Sequence, residues 1–290
     1  MASLNITKSI LSISSPGTFL TPNDSAAAKQ LSQKCNDFAA ELVSRRPAQF
    51  GFWASLPLPD IEASLEEIKH ALDDLKADGI TLHTNHHGVY LGDKALEPVF
   101  NELNRRKAKV FIHPTTPCVQ ACDGHGTSKA APLSQYPNPM FEFLFDTARA
   151  VINLFVSGTL ARFPDITFII PHAGGALPPL IERITAFTSA FPWSQDLKIS
   201  TESVKETFAR QFYFDLAGMP FPDQVQGLLR FVDERRLLYG SDFPFTPAPV
   251  VGMLAKRMEG EGGKIWSKDQ VGQVMSGNAR RLLGNESSRL

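Results

Sequence analysis

Short apolar runs typical of β-strands alternate with amphipathic helical patterns along almost the whole chain of 290 residues. The clearest helical pattern starts after Asp60, a good N-cap, and stops at Gly79, and its apolar residues recur at three- and four-residue spacing. Strands that alternate with helices in this way predict parallel β-α-β units and therefore an α/β fold. The predicted strands are Ser9–Ser14, Gln49–Leu56, Ile80–Thr84, Lys109–His113, Ile166–Pro171, Phe212–Leu216 and Leu237–Gly240.

These seven strands are one fewer than a closed (β/α)8 barrel requires. An open barrel edge leaves unpaired N–H and C=O groups beside an apolar interior, so a barrel of this kind closes with eight strands. The deficit lies at the front, because the chain enters on what looks like a second strand. We therefore expect a TIM-barrel-like α/β fold without its first strand. The chain length fits a single domain over residues 1–290, with C-terminal helices from about residue 248.

Three short motifs place a metal-binding or proton-transferring side chain directly after a strand-like run. Phe-Ile-His-Pro contains His113, Ile-Pro-His-Ala-Gly-Gly contains His172, and Tyr-Gly-Ser-Asp-Phe-Pro contains Asp242. A (β/α)8 barrel keeps its catalytic groups at the C-terminal ends of its strands. Because imidazole suits zinc or manganese at such a position, we predict that His113 is a metal ligand rather than a core histidine. Taken alone, Asp242 also fits a turn cap, and His172 also fits a structural place on the Gly-Gly turn.

The three motifs, in this order, resemble the decarboxylase branch of the amidohydrolase superfamily. The segment from Thr84-Asn85 through Gly88-Val89-Tyr90-Leu91 is similar to it as well. This branch includes aminocarboxymuconate-semialdehyde decarboxylase and γ-resorcylate decarboxylase, and the strongest resemblance, over nearly the whole chain, is to fungal 6-methylsalicylate decarboxylases. Members carry a further N-terminal segment with His-x-His-x-x-Pro on a first strand, and no His-x-His occurs in these residues. A truncated gene model, an alternative start and a decayed copy all fit this difference.

The resemblance implies a metal-dependent, non-oxidative decarboxylase of an aromatic acid, an ortho-hydroxybenzoate similar to 6-methylsalicylate from polyketide secondary metabolism. It implies that Asp242 is a metal ligand or proton donor. It also implies that His172 acts as an acid/base or orients the substrate, and makes it a third candidate ligand. Arg183 matches a family arginine that binds a substrate carboxylate in the neighbouring subunit's site, which implies a homodimer, although a solvated surface arginine fits too. Zinc is the expected metal and manganese the alternative.

Other histidines offer weaker candidates. His83, His86 and His87 form a cluster, but it follows a strand, and at that spacing an extended chain does not bring the rings together. We therefore retain a replacement metal site there only as an alternative. His125 lies in a loop of residues 115–139, and loops of that length are often lids or binding loops, although a solvated loop histidine is the simpler interpretation. Trp193 is expected in the core or a pocket wall.

Composition narrows the expected partners and compartment. The formal charge of −1 and pI near 6.7 give no electrostatic reason to expect nucleic acid or an anionic membrane as partner. The apolar runs are too short to span a bilayer. Three cysteines at no disulfide-framework spacing suit a reducing compartment, so we expect a cytoplasmic protein with a small-molecule substrate. Cys118 and Cys122 fit ordinary thiols better than a zinc site, because no matching second ligand pair accompanies them.

Two alternative functions stay open at this level. A metal-dependent hydrolase of a lactone or a muconate-type acid would use the same strand-end residues, and release of CO₂ distinguishes the decarboxylase from it. A non-catalytic truncated remnant is the alternative of another class, because the His-x-His motif is absent. A metal-binding assay distinguishes an enzyme from a remnant.

Overall fold

A computed structural model of the chain describes residues 1–120, 127–130, 133–191 and 199–284. Cys122, His125 and Trp193, for which we made predictions, lie outside these ranges. The chain divides into two compact units, and each is considered by itself. Unit 1 comprises Met1 and Ile6–Phe168, and unit 2 comprises Ala2–Asn5 and Ile169–Leu290. The single-domain expectation stays a prediction.

Unit 1 is built on four parallel strands, each followed by at least one helix. The strands pair in the order β1, β2, β3 and β6, and Ile10 lies opposite Gly51, Ala54 opposite Ile80, and Ile80 opposite Val110. The central residues of β2 and β3 are buried, which explains their apolar runs, whereas β6 alternates buried and half-buried residues and β1 is half-buried throughout. The strands of unit 1 are β1 (Ser9–Leu11), β2 (Phe50–Ser55), β3 (Gly79–His83), β4 (Asn85–His86), β5 (Val89–Tyr90), β6 (Lys109–His113), β7 (Cys118–Gln120) and β8 (Thr127–Lys129).

Unit 1 contains five described α-helices. The one predicted between Asp60 and Gly79 begins as expected, but its α-helical part ends at Lys69, where a π-helical turn, His70–Asp74, continues it. Asp24 and Asp60 cap the first two, and each carboxylate accepts a hydrogen bond from the backbone N–H three residues on. The helices are α1 (Ser25–Arg45), α2 (Ile61–Lys69), α3 (Glu97–Arg105), α4 (Glu142–Val156) and α5 (Thr159–Arg162). Gly158 has a φ of 74° and separates α4 from α5.

Unit 2 contains the remaining strands of the alternation and the C-terminal helices. Strand β9 (Thr167–Ile170) crosses the boundary along the chain, and β10 (Phe212–Asp215) pairs in parallel with β11 (Leu237–Leu238). The rings of Phe208, Phe212 and Phe214 pack against one another with centroids 5.1–6.1 Å apart and hold β10 against its preceding helix. The helices are α6 (Ile181–Ala190), α7 (Thr201–Gln211), α8 (Asp223–Leu228), α9 (Ala248–Gly262), α10 (Lys268–Gly272) and α11 (Asn278–Leu282).

Two described stretches of a segment that was predicted to be a loop pair with each other. Residues 115–139 were expected to form a loop, but β7 and β8 pair there as an antiparallel hairpin in which Val119 lies opposite Ser128. Pairing satisfies backbone groups that an extended surface segment would otherwise leave to water. Among the described helices, none combines the length and the apolar character needed to cross a membrane.

Candidate active site

His113 ends strand β6, and the side chain is fixed by its own backbone. Its Nδ1 lies 2.6 Å from the carbonyl oxygen of Pro114, and because a carbonyl only accepts, Nδ1 donates this hydrogen bond. The neutral ring therefore carries its lone pair on Nε2. A histidine that donates one ring N–H to a backbone carbonyl has the tautomer that metal sites use. His113 consequently fits the predicted role of metal ligand in its own unit.

Two further histidines lie beside it. Strand register places His83 opposite His113, and their ring centroids are 5.7 Å apart, while His86 lies 5.8 Å from His83 on the other side. The expectation that this cluster does not bring its rings together is wrong for His83 and His86. A bend at Thr84 separates β3 from the short strand β4, so the chain is not extended between the two rings. His87 is directed elsewhere, with its Nε2 2.7 Å from the carbonyl of Phe19.

The rings of His83 and His86 are both buried, and burial favours their neutral form. Burial lowers the pKa of His83 well below its ordinary value, and the neighbouring His86 and His113 lower it further. Burial lowers the pKa of His86 to about 3, with a smaller contribution from His87. The Nε2 atoms of His83 and His86 are buried without a hydrogen-bond partner. Even so, within the described ranges no three His, Cys, Asp or Glu side chains form a group that would hold a metal ion.

A buried carboxylate, Asp146, holds the segment that carries the histidines. The carboxylate on α4 accepts hydrogen bonds from the hydroxyl of Tyr90 at 2.7 Å and from the amide of Asn85 at 3.1 Å, and also from Thr84. Arg149, one turn along the same helix, pairs with it. Burial and the hydrogen bond to Asp146 raise the pKa of Tyr90 to about 12. The network thus fixes both strands of the β4–β5 hairpin, and sequence analysis did not predict it.

In unit 2, His172 follows β9 on a strained turn. His172 and Ala173 have φ values of 54° and 52°, in the left-handed region that disfavours side chains, and the two following glycines continue it. The ring Nδ1 of His172 lies 3.3 Å from the carbonyl oxygen of Ala217. Gln224 donates to the carbonyl of Gly175 at 3.1 Å and so supports the turn from α8. The Gly-Gly motif therefore shapes a turn that places His172 at the end of β9.

Asp215 is the functional candidate that the sequence analysis missed. The residue ends β10, and its Oδ1 accepts hydrogen bonds from the backbone N–H groups of His172 and Ala217, both at 3.0 Å. Burial raises the pKa of Asp215, the neighbouring His172 opposes this, and the carboxylate of Asp242 raises it further. A carboxylate as the last residue of an otherwise aromatic strand was the available signal. Its position matches the strand-end rule that singled out His113.

Asp242 follows β11 and has a φ of 54°. Its backbone carbonyl accepts the N–H of Thr246 at 2.8 Å, and its Oδ2 accepts the hydroxyl of the same residue at 3.4 Å. The turn-cap interpretation therefore describes the main chain, while the half-buried carboxylate stays close enough to Asp215 to influence it. Gly240 is needed nearby, because a Cβ there would lie 2.9 Å from the Asp215 carboxylate. Unit 2 thus brings His172, Asp215 and Asp242 together.

Arg183 lies on the exposed side of α6. Its guanidinium stacks over the ring of Phe187 at 4.9 Å, and Phe187 in turn contacts Phe191, with ring centroids 5.1 Å apart. Phe187 and Phe191 are each 43% exposed. The structure therefore places Arg183 within an exposed aromatic patch, away from the hydrogen bonds that link His172 and Asp215.

Comparison with known proteins identifies the family. The sequence profile of the amidohydrolase family matches residues 19–284 of the chain. The chain belongs to the amidohydrolase family. Among amidohydrolases of fungi, the 6-methylsalicylic acid decarboxylase of Aspergillus aculeatus is 38% identical over 267 residues, which are 91% of this chain and 78% of that protein. The resemblance inferred from the three motifs is confirmed.

Solved amidohydrolase structures confirm the predicted fold class. The crystal structure of an amidohydrolase II protein matches with a TM-score of 0.85 at 31% identity and covers 98% of this chain and 86% of that one. A dihydroxybenzoic acid decarboxylase from Polaromonas sp. JS666, crystallised with bound manganese and an inhibitor, matches with a TM-score of 0.82 at 21% identity, over 99% of this chain and 85% of that one. The TIM-barrel-like α/β class is thus confirmed, and seven of the eleven described strands, namely β1, β2, β3, β6, β9, β10 and β11, are the seven that the sequence predicted.

Proposed function

We propose that this amidohydrolase is a metal-dependent, non-oxidative decarboxylase of a small aromatic acid, an ortho-hydroxybenzoate such as 6-methylsalicylate. The observation that carries the proposal is the 38% identity, over 91% of the chain, to a protein named 6-methylsalicylic acid decarboxylase. A second fungal protein of the same name, from Penicillium expansum, is 39% identical over 251 residues, or 86% of this chain and 74% of that protein. A role in polyketide secondary metabolism is part of the proposal.

A divalent metal is the proposed cofactor, with zinc favoured and manganese as the alternative. His113 fits a zinc ligand because its tautomer leaves the lone pair on Nε2. Asp242 is the second proposed ligand and His172 a third candidate. When bound, the metal would supply Lewis-acid chemistry toward the acidic substrate. The manganese in the Polaromonas decarboxylase supports a divalent ion in this fold.

The chain's own residues carry the proton and the substrate in this proposal. Loss of CO₂ leaves an electron pair on the ring carbon, which takes a proton from an acid, and Asp242 assisted by His172 is assigned to this step. General acid catalysis of this kind contributes about 10²- to 10⁴-fold in rate. Arg183 is assigned to the substrate carboxylate of a neighbouring subunit, and the exposed aromatic patch around it supports a homodimer.

A cytoplasmic location completes the proposal. Cys35 and Cys118 carry free thiols in the described part of the chain, as expected for a protein in a reducing compartment. Burial raises the pKa of both thiols, so they stay protonated at neutral pH. Neither thiol is needed for the proposed reaction.

Product analysis with matched variants tests the proposal. The protein is incubated with 6-methylsalicylate and zinc, without oxygen, nicotinamide or flavin, and CO₂ and the corresponding phenol are measured. Asp242→Asn keeps the size of the side chain but removes its charge, so turnover should collapse while the fold survives. His172→Ala should lower turnover strongly with less effect on metal content. Asp233→Ala, which removes a carboxylate elsewhere in unit 2, serves as the control.

The possible results of this experiment distinguish the proposed decarboxylase from its two alternatives. A product that retains its carboxylate would point to the hydrolase, and absence of both turnover and metal binding would point to the non-catalytic alternative. Unchanged turnover in Asp242→Asn would contradict the assignment of the acid. Metal content, measured by elemental analysis after dialysis, separates loss of the metal from loss of the proton donor.

A further inference from the structure

We propose that His83 is a metal-ligating residue and that His83 and His113 form a two-imidazole zinc-binding pair within unit 1. This inference deepens the proposed function, because it rests on the assignment of a metal to His113. It concerns a histidine that the three strand-end motifs do not contain. Four observations, all within unit 1, carry it.

Sheet register makes the two histidines neighbours. His83 is the last residue of β3 and His113 the last residue of β6, and they lie opposite each other on adjacent parallel strands. Side chains at opposed positions of parallel strands point to the same face of the sheet. The two rings therefore leave the same edge on the same side, with centroids 5.7 Å apart and planes inclined by 53°.

Both rings are held in the tautomer that a metal needs. The Nδ1–H of His113 donates to the carbonyl of Pro114 at 2.6 Å. The ring of His83 bonds the backbone of Ser14, and since its Nε2 has no hydrogen-bond partner, Nδ1 makes that bond. The lone pair of each neutral ring is therefore on Nε2. A backbone carbonyl behind each ligand histidine is the usual arrangement around protein-bound zinc.

The turn behind His83 is built to admit the ring. The N–H of Gly17 donates to the carbonyl of Ser14 at 2.9 Å, and Gly17 has a φ of 84°. A Cβ at this position would lie 2.7 Å from Cε1 of His83 and 3.0 Å from its Nδ1. The same point lies 3.4 Å from Nε2, so only glycine leaves space for this edge of the ring, and the turn holds the ring in place.

The Nε2 atom of His83 is buried and has no hydrogen-bond partner to compensate for its loss of contact with water. An acceptor nitrogen taken out of water without a hydrogen bond destabilises the folded state. Two imidazoles on one zinc, with Zn–N bonds of about 2.0–2.1 Å, have ring centroids about 5 Å apart at a tetrahedral angle. The observed separation of 5.7 Å needs a closure of less than about 1 Å. A bound zinc ion satisfies this nitrogen, with its remaining positions left to other ligands.

A second imidazole also favours one metal over the other. Imidazole nitrogen binds both ions but binds zinc more tightly, because manganese prefers carboxylate, carbonyl and water oxygen. The pair therefore predicts that zinc binds more tightly than manganese, and that loss of His83 weakens zinc more than manganese.

Calorimetric titration of the metal-free protein with zinc chloride and with manganese chloride tests the pair. His83→Gln and His113→Gln should each weaken zinc at least as much as the about 10- to 100-fold that loss of an outer-shell partner costs. His70→Gln is the matched control, because His70 bonds Asp37 at 3.0 Å on the surface of unit 1 and should leave zinc affinity unchanged. Far-ultraviolet circular dichroism checks the fold of each variant.

The outcomes separate this inference from the proposed function. If His113→Gln loses zinc affinity but His83→Gln keeps it, the role of His83 is overturned and the proposed function still stands. Affinity kept in both variants overturns the metal assignment to His113 as well. If His83→Gln fails to fold, ¹⁵N-histidine NMR of the unmodified protein decides. Zinc should shift the Nε2 resonance of His83 while Nδ1 stays protonated, and an unshifted Nε2 would refute the pair.

Discussion

Replacing Asp215 by alanine tests whether this carboxylate positions His172. Its Oδ1 accepts the backbone N–H groups of His172 and Ala217, both at 3.0 Å. The first of these bonds holds a residue whose φ of 54° lies in the left-handed region. That conformation costs roughly 1–2 kcal/mol in an L-residue, so it persists only where neighbouring groups hold it. Without the carboxylate, the turn that carries His172 should relax.

The magnitude follows from the two bonds. A polar group left without its partner inside a protein costs about 1–3 kcal/mol, so two N–H groups cost about 2–6 kcal/mol together. Burial raises the pKa of Asp215, which means that the charged form is itself costly in the folded state, and its removal returns part of this energy. We therefore expect Asp215→Ala to lower the free energy of unfolding by about 2–4 kcal/mol. Asp215→Asn keeps the acceptor oxygen and should lose less than half as much.

Urea unfolding at pH 7 measures these differences, and Asp233→Ala is the control. Asp233 also accepts a backbone N–H, from Arg235 at 3.0 Å, but on an exposed turn. Turnover of 6-methylsalicylate provides a separate reading, because relaxation of the turn should lower kcat in Asp215→Ala more than in Asp215→Asn. An alanine variant as stable and as active as the control would refute the reasoning.

The contribution of Asp215 to the free energy of unfolding should change with pH in a definite direction. The pKa of Asp215 is raised in the folded protein, so the folded state binds this proton more tightly than the unfolded chain. The stability contributed by protonation is fully present below the unfolded pKa of about 3.9 and is lost as pH rises through the folded pKa. The advantage of the natural protein over Asp215→Asn should therefore shrink as pH rises across that window. An advantage that grows with pH would contradict the direction of the shift.

Three further predictions concern other residues. The pKa of His86 is lowered to about 3 in the folded protein. The metal-free protein should therefore lose up to about 4–5 kcal/mol of its free energy of unfolding as pH falls from about 6.5 to 3. His86→Gln should remove this part of the loss, as measured by urea unfolding across that pH range. Asn36 donates to the carbonyl of Ser55 at 2.9 Å and accepts its N–H at 2.9 Å, so Asn36→Ala should cost about 2–4 kcal/mol in thermal or urea unfolding, and a loss below about 0.5 kcal/mol would contradict this. Arg183→Ala should raise KM and leave kcat unchanged. The reason is that an exposed arginine that binds the substrate carboxylate stabilises the ground state and the transition state equally. A fall in kcat with KM unchanged would contradict this role.

Much of the fold was predictable because its signals are local. Apolar periodicity located the seven strands that the sequence predicted, and Asp60 caps its helix as expected, since these patterns depend on residues within a few positions of one another. The strand-end rule found His113, His172 and Asp242 for the same reason: a polar side chain directly after an apolar run is visible in the sequence. These motifs also sufficed to indicate the amidohydrolase family.

The contacts that define the candidate site depend on tertiary structure. His83 and His113 are thirty residues apart, and only the pairing of β3 with β6 at this register makes their rings neighbours. Asp215 becomes a candidate only in the structure, where its carboxylate accepts a hydrogen bond from the backbone N–H of His172, forty-three residues earlier in the chain. Local patterns specify which elements form and which faces they bury. Register and strand adjacency are fixed by the packing of the whole sheet, so they decide which strand-end groups meet.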